Sequence, residues 1–191
     1  MIPFLAVLTI GVCGLFRLGE LLVTDKTDVI QERLLRIGHV KFHPNRLAPE
    51  HMSIFIPYSK TDKYGQGHTV LIPANPTSRY CPVEYCKQLC EFGKPTDPLF
   101  RWPSGMLMTK SSFIKLLRLQ LKQLNIDYTQ YSGHSLRRGG ALSAKAAGAS
   151  DPLIKILGRW NSKAYKIYLK CTPGHIQDLN HLLAALRLVQ L

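Results

Sequence analysis

Apolar residues fill the first part of the chain without interruption, and further along they alternate with polar residues in two different periods. The unbroken run Ile2 to Phe16 predicts a helix buried on most of its sides, which we expect to extend from about Pro3 to Leu22. Alternation from Met52 to Tyr58 predicts a strand with one apolar face. With Leu35 to His43 before it and Thr69 to Pro73 after it, this strand is expected to form a small antiparallel sheet.

From about residue 83 onward the periodicity is that of helices. The predicted helices lie at about 83–92, from a cap at Ser111 or Ser112 to Leu124, from His134 to Ala147, from a cap at Asp151 to Gly158, around Tyr165 and Tyr168, and after Thr172-Pro173. The last of them carries an apolar stripe made of Ile176, Leu179, Leu183 and Leu186. These elements predict an α+β fold that is mainly helical.

Composition and charge narrow the class of protein. The chain has 191 residues, the size of one compact domain, and 46% of them are hydrophobic. This argues against a disordered tail, a collagen-like repeat and a disulfide-dominated mini-protein. Lys and Arg number 25 against 12 Asp and Glu, a formal charge of +13. Such an excess favours nucleic acid as the partner, with an anionic membrane surface as the second choice.

The apolar N-terminal run fits neither a signal peptide nor a membrane span. It has no positive charge before it and no small-residue cleavage site after it. Arg17 interrupts the run before it reaches the roughly 20 residues that a span requires. We therefore expect no membrane association.

Five cysteines are ordinary usage for a reducing compartment. Cys81, Cys86 and Cys90 have the spacing C-x4-C-x3-C, which is not that of a standard zinc knuckle, and no histidine is near in sequence. The pattern favours a helix with Cys86 and Cys90 one turn apart on its buried face. Zinc binding is the alternative.

Two basic motifs lie at predicted helices. Arg17 and Glu20 are three residues apart on one helical face, so that the carboxylate can hold the guanidinium in place; an ordinary ion pair is the alternative. His134 and Arg137 likewise share a face, in a first turn whose free N–H groups suit an anion. The planar guanidinium of Arg137 matches phosphate geometry. A capped helix start with solvated arginines is the alternative there.

Two further features are compatible with DNA contact. Trp160, Tyr165 and Tyr168 are interleaved with Arg and Lys, which suits a sugar-phosphate backbone. Core aromatics at helical spacing are the alternative interpretation. Lys60 lies in the polar loop between the last two predicted strands, where most lysines are simply solvated.

The order of these residues along the chain resembles that of the catalytic domain of the tyrosine recombinases, the phage integrase superfamily. The matching positions, in order, are Arg17, Lys60, His134, Arg137, Trp160 and Tyr168. The amino-acid sequences of three segments are most similar to those of the eukaryotic mobile-element branch, of DIRS and Crypton type. These segments are Ser59-Lys60-Thr61-Asp62, Gly133-His134-Ser135-Leu136-Arg137-Arg138-Gly139 and Gly158-Arg159-Trp160.

The resemblance implies a covalent mechanism. Tyr168 would attack a scissile DNA phosphate and form a 3′-phosphotyrosyl link, and Lys60 would protonate the leaving 5′-oxygen. Since the covalent link conserves the energy of the phosphodiester, rejoining needs no nucleotide cofactor. The gap from Trp160 to Tyr168 is eight residues where the family usually has nine, so Tyr165 is a rival nucleophile about one helical turn earlier.

The resemblance also assigns the contacts to the phosphate. Arg17 and Arg137 would clamp its non-bridging oxygens, His134 would act as a base or hydrogen-bond partner, and Trp160 would hold the phosphate where many relatives have histidine. The two arginines supply the charge that a metal would supply, so no metal is expected.

Further expectations follow from the resemblance. Residues 1–191 would form a single catalytic domain with the integrase fold, without the N-terminal helical domain that relatives carry. The partner would be double-stranded DNA, bound by a homo-oligomer in the nucleus, with no small-molecule substrate. One rival interpretation is a DNA-binding protein derived from a mobile element that no longer cuts DNA. A second is a type IB topoisomerase, which shares the chemistry.

Overall fold

The computed structural model describes residues 1–24, 31–60, 62 and 64–169, apart from the side chains at positions 31, 167 and 168. The helix predicted after Thr172-Pro173 lies outside the described residues. The helices are α1 (Ile2–Cys13), α2 (Leu18–Leu21), α3 (Pro82–Leu89), α4 (Lys110–Gln123), α5 (Ser135–Ala146), α6 (Asp151–Leu157) and α7 (Tyr165–Leu169). The strands are β1 (Val40–His43), β2 (His51–Ile56) and β3 (His68–Pro73), and short 3-10 turns lie at Gln31–Arg33, Ile37–His39 and Tyr128–Gln130.

Helix α1 is the centre of the larger hydrophobic core. Its residues from Phe4 to Gly11 are all buried, which agrees with a helix apolar on every side. Helix α5 packs closely against it, because Gly140 has no side chain: a Cβ there would overlap the carbonyl oxygen of Val12. This close approach places the middle of α5 beside the end of α1.

The prediction that helix one continues to Leu22 was wrong. Helix α1 ends at Cys13, the chain turns through Leu15 with a φ of 50°, and α2 begins after Arg17. The hydrophobic pattern did not show the break because Leu15 and Phe16, in the turn, are buried as completely as the helix. The turn lifts Arg17 out of the buried helix, so its side chain does not have to be accommodated in the core.

The sheet is antiparallel with the order β1-β2-β3, and Ile54 of β2 lies opposite Val40 and Val70. Alternate residues of β2 face the core, as the sequence predicted: Met52, Ile54 and Ile56 are fully buried. The first strand is shorter than predicted. Before Val40 the chain forms backbone hydrogen bonds with the loop at 95–97 instead of with the sheet.

Two helix caps also differ from the predictions. Helix α4 is capped by Thr109, whose hydroxyl accepts a hydrogen bond of 3.1 Å from the Ser112 N–H, and α6 is capped by Ser150. In both cases several capping residues follow one another in the sequence, and local pattern alone does not select among them. The predicted end of α6 at Gly158 was confirmed.

The cysteine segment forms the predicted helix, and the side chains of Cys86 and Cys90 are both buried. Their mutual hydrogen bond and their burial raise the pKa of the Cys86 thiol well above its ordinary value. Within the described ranges, no cluster of three or more His, Cys, Asp or Glu side chains is placed to hold a metal ion. None of the helices described is long and apolar enough to cross a membrane.

A second, smaller core lies under helices α5, α6 and α7. Its buried members are Leu15, Ala141, Ile154, Trp160 and Tyr165. Leu15 comes from the turn after α1 and the others from the C-terminal part of the described chain, so this core joins the two regions that carry the basic motifs.

Candidate active site

Two helix ends face each other at the centre of the site. At the end of α1, the N–H of Phe16 bonds to the carbonyl of Gly11 at 3.0 Å, and Leu15 takes the left-handed conformation. At the end of α6, the N–H of Trp160 bonds to the carbonyl of Lys155 at 3.0 Å, and Arg159 is left-handed with a φ of 56°. Both are Schellman motifs, and both turn helix-terminal carbonyls toward the same space.

Arg137 lies between these two turns. It is only 1% exposed, donates from Nη1 to the carbonyl of Leu15 at 2.7 Å and donates from Nη2 to the carbonyl of Gly158. Its guanidinium carbon is 4.2 Å from the centroid of the Trp160 ring. These hydrogen bonds and the cation–π contact offset the cost of burying the charge.

Glu20 is the second centre of the site, and its side chain is 2% exposed. It accepts hydrogen bonds of 2.9 Å from the backbone N–H of Arg17, from Arg17 Nη1, from the hydroxyl of Ser59 and from Arg159 Nη2. The predicted pairing of Arg17 with Glu20 is therefore present. The carboxylate also joins segments that are remote in sequence.

The two partly buried charges influence each other's protonation. Burial by itself would raise the pKa of Glu20, but the charge of Arg159 and the hydrogen bonds from Arg17 and Ser59 outweigh it, so this pKa lies below its ordinary value. Burial lowers the pKa of Arg159, and the attraction of Glu20 opposes that shift. Glu20 is therefore ionised at neutral pH and holds a fixed negative charge between two arginines.

Most of the predicted site residues are brought together by these contacts. Ser59 donates a hydrogen bond to Glu20, and the exposed Lys60 is the next residue in the chain. The Ser59 hydrogen bond therefore ties the backbone that carries Lys60 to the Arg17–Glu20 pair. His134 is the exposed N-cap of α5. A Cβ at Gly133, the residue before it, would lie 3.5 Å from the Leu18 side chain, so the start of α5 adjoins the start of α2.

The structure describes the side chains of two of the three predicted aromatic residues. Trp160 and Tyr165 are both buried, with ring centroids 6.2 Å apart, so the core-aromatic interpretation describes their packing. Tyr168 lies in α7, three residues after Tyr165. Its side chain is outside the described atoms, so its role as nucleophile stays a prediction.

Two residues of the site were not selected from the sequence. Ser59 was noted only as part of a motif, and Arg159 only as one of several basic residues near Trp160. For Arg159 a signal existed, because it follows the helix-ending Gly158 at the position where glycine usually stands. For Ser59 no local signal distinguishes a buried hydroxyl in a polar loop from a solvated one.

Comparisons with known proteins agree with the resemblance seen in the sequence. No family model matches the chain. It is 26% identical, over 150 residues, to a protein described as an integrase/recombinase XerD homolog from Selenomonas ruminantium. That match covers 73% of this chain and 38% of the relative.

The fold is similar to that in the crystal structure of XerA recombinase. The TM-score is 0.57 at 16% sequence identity, and the match covers 93% of this chain and 55% of that one. The chain thus spans about half the length of the solved structure, and less of the XerD homolog. The α+β fold of this chain is therefore similar to the fold of XerA recombinase.

Proposed function

We propose that this chain cleaves and rejoins DNA strands in recombination through a 3′-phosphotyrosyl intermediate. The observation that carries the proposal is the buried Glu20 carboxylate, which joins three distant segments. One bears Arg17, one bears Lys60 directly after Ser59, and one bears Trp160 directly after Arg159. Positions that match the recombinase motif only by their order in sequence are thereby linked in space.

In the proposed reaction the hydroxyl of Tyr168 attacks the phosphorus, and its proton passes to a base, for which His134 is placed at the exposed start of α5. The bond from phosphorus to the 5′-oxygen breaks, and Lys60 gives that oxygen its proton. The reverse steps rejoin the strand, so no cofactor is consumed.

Arg17 and Arg137 are not equally accessible to a phosphate. The side chain of Arg17 is 26% exposed, so solvent reaches part of it. Arg137 is closed off between the two helix ends and Trp160. Contact of Arg137 with a phosphate therefore requires the Trp160 turn to rearrange when DNA binds. In the free protein we assign Arg137 the role of positioning Trp160.

Burial also bears on the choice of nucleophile. Tyr165 is enclosed in the smaller core against Trp160 and Ile154. A nucleophile must reach a phosphate at the protein surface, so we propose Tyr168 as the nucleophile.

We propose as well that the protein belongs to the eukaryotic mobile-element branch and acts in the nucleus as a homo-oligomer on double-stranded DNA. The sequence motif Gly158-Arg159-Trp160 supports this branch.

The test is trapping of the covalent intermediate. Purified protein is incubated with supercoiled plasmid and with nicked duplex substrates, and covalent protein–DNA adducts are separated on denaturing gels. Wild type is expected to form adducts, and Tyr168→Phe to form none while its DNA binding stays within about twofold, because charge and volume barely change. Tyr165→Phe is the matched control and should still form adducts.

Three other results would change the assignment. Adducts in Tyr168→Phe but not in Tyr165→Phe would make Tyr165 the nucleophile. Tight DNA binding by wild type without any adduct would favour the non-cutting DNA-binding protein. Relaxation of supercoils without pairing of two DNA sites would favour a type IB topoisomerase.

A further inference from the structure

We propose that Asp62 is a positioning residue whose carboxylate folds the connection between β2 and β3, so that Lys60 is held where it can protonate the leaving 5′-oxygen. The inference rests on the proposed function, because Lys60 has its role as an acid only there. Asp62 is not among the six positions that match the recombinase pattern, and in this proposal it touches no reacting atom.

The first observation is the turn that contains Lys60. The N–H of Asp62 donates to the carbonyl of Ser59 at 3.0 Å, which closes a turn with Lys60 inside it. The side chain of Ser59 is buried and donates to Glu20 at 2.9 Å. One end of the turn is therefore fixed to the Glu20 carboxylate, and Asp62 is its other end.

The second observation is the length of the connection. Strand β2 ends at Ile56 and β3 begins at His68, so the connection 57–67 is longer than the roughly two to five residues of a tight hairpin loop. Ordering such a loop costs conformational entropy at every residue, and contacts within it must offset that cost. In the part of the loop that the structure describes, side-chain packing does not do this at the tip. Tyr64 is 85% exposed, and a Cβ at Gly65 would meet no atom within 4 Å.

The carboxylate of Asp62 supplies contacts of the required kind. Its Oδ2 accepts a hydrogen bond of 2.7 Å from the N–H of Gly67, and its Oδ1 accepts one of 3.3 Å from the N–H of Tyr64. The Gly67 N–H above all, together with the N–H groups of Gln66 and Tyr64, holds the pKa of Asp62 below its ordinary value. The ionised carboxylate thus ties the turn around Lys60 to the far end of the loop.

Gly67 is fixed against the sheet. Its φ is 68°, a conformation that glycine adopts without strain. A Cβ there would lie 2.5 Å from the ring of Phe55 and 2.7 Å from the carbonyl oxygen of Ile56, so the backbone of Gly67 lies directly on β2. Through Asp62, the turn that contains Lys60 is therefore attached to the end of the sheet.

The position of Lys60 matters because of proton transfer. In the proposed reaction the bond from phosphorus to the 5′-oxygen breaks, its electron pair stays on that oxygen, and Lys60 gives the oxygen a proton. A general acid acts only within hydrogen-bond reach of the atom that it protonates, and it contributes about 10²–10⁴ in rate. A misplaced Lys60 therefore slows cleavage when the leaving group needs a proton, and it does not slow cleavage when the leaving group needs none.

The experiment replaces the leaving 5′-oxygen by sulfur. A thiolate leaves without a proton, since thiols ionise with a pKa of about 8.5, so a 5′-bridging phosphorothiolate substrate does not require the acid. Single-turnover rates of adduct formation at saturating protein are measured on this substrate and on the ordinary one for wild type, Lys60→Met, Asp62→Ala and Asp62→Asn. Asp127→Ala is the matched control, because Asp127 also accepts from an N–H two residues further on, at 3.0 Å, in a turn without candidate site residues. Thermal melting checks that each variant is folded.

On the ordinary substrate, Asp62→Ala should be slower than wild type by about tenfold or more, and Lys60→Met should lose about the 10²–10⁴ of a general acid. Asp62→Asn removes the same charge as Asp62→Ala but keeps an acceptor oxygen for the Gly67 N–H, so it should recover most of the loss. On the phosphorothiolate substrate, Lys60→Met and both Asp62 variants should react as fast as wild type. Asp127→Ala should match wild type on both substrates.

Three results would overturn the inference and leave the cleavage function standing. Asp62→Ala could be as fast as wild type on the ordinary substrate. It could be equally slow on both substrates, which would place its effect in folding or DNA binding. Asp62→Asn could be as slow as Asp62→Ala, which would assign the effect to charge instead of to the hydrogen bonds. Lys60→Met slow on both substrates would refute the role of Lys60 as the acid and the inference with it, and wild type without adducts on either substrate would refute the proposed function itself.

Discussion

Replacement of Glu20 by alanine should destabilise the fold more than the loss of any surface charge. The carboxylate is 2% exposed and accepts four hydrogen bonds, two of them from Arg17 and one each from Ser59 and Arg159. Without it, the two guanidinium groups lose the carboxylate that they share, and the buried Ser59 hydroxyl loses the hydrogen bond to Glu20. Each of these changes favours the unfolded state, in which water solvates all of the groups.

The magnitude follows from the burial of the partners. Removal of one partner of a buried ion pair costs about 3–5 kcal/mol. Water reaches parts of both Arg17 and Arg159, which places the loss at the lower end, about 3 kcal/mol. For a chain of this length that corresponds to a decrease in Tm of roughly 6–12 °C. Glu20→Gln keeps one acceptor oxygen and should lose less.

The assay is urea denaturation followed by circular dichroism, with Glu84→Ala as the matched control. Glu84 is 51% exposed and lies 3.9 Å from Lys87, so its loss should change the free energy of unfolding by less than about 1 kcal/mol. The reasoning is refuted if Glu20→Ala costs no more than Glu84→Ala, because the Glu20 network would then contribute nothing to stability.

Four further outcomes are expected. Gly140→Ala should lose about 1–3 kcal/mol in urea denaturation, because its Cβ overlaps the Val12 carbonyl, and an unchanged midpoint would contradict that packing. The pKa of Glu20 lies below its ordinary 4.5, so the ionised carboxylate contributes its full stabilisation above pH 4.5 and loses it as the pH falls through the lower pKa of the folded state. The urea midpoints of wild type and Glu20→Gln should therefore converge at low pH. A gap between the two midpoints that stays constant with pH would refute this. Arg137→Ala should reduce adduct formation about 10²–10³-fold and Arg138→Ala far less, whereas equal losses would indicate a diffuse charge patch. DNA affinity should fall with salt at a slope of roughly −0.9 for each of about five or more phosphate contacts, and a flat dependence would argue against nucleic acid as the partner.

The sequence predicted much of the fold because its periodicities report which side of an element is buried. The alternation in β2 and the unbroken apolar run of α1 each imply a buried surface, and both surfaces are buried in the structure. The order of basic and aromatic residues could also be recognised from the sequence, since it depends only on residue identity and position. The pairing of Arg17 with Glu20 followed from a spacing of three residues, which brings side chains together in any helical turn.

Features that depend on contacts between remote segments could not be predicted from the sequence. The break after Cys13 left the hydrophobic pattern unchanged, because the turn through Leu15 is buried in the smaller core. The enclosure of Arg137 depends on the carbonyls of Leu15 and Gly158, more than 100 residues from each other in sequence, meeting at one point.

Glu20 shows the division most clearly. The sequence by itself determined that this carboxylate has an arginine three residues away. It also determined that basic and aromatic residues follow one another in an order that resembles the recombinase pattern. Only the tertiary structure decided that Ser59 and Arg159 bind the same carboxylate. Hydrophobic period and residue order are local properties of a chain, whereas the neutralisation of a buried charge depends on which distant groups the packing of α1, α5 and α6 brings within hydrogen-bonding distance.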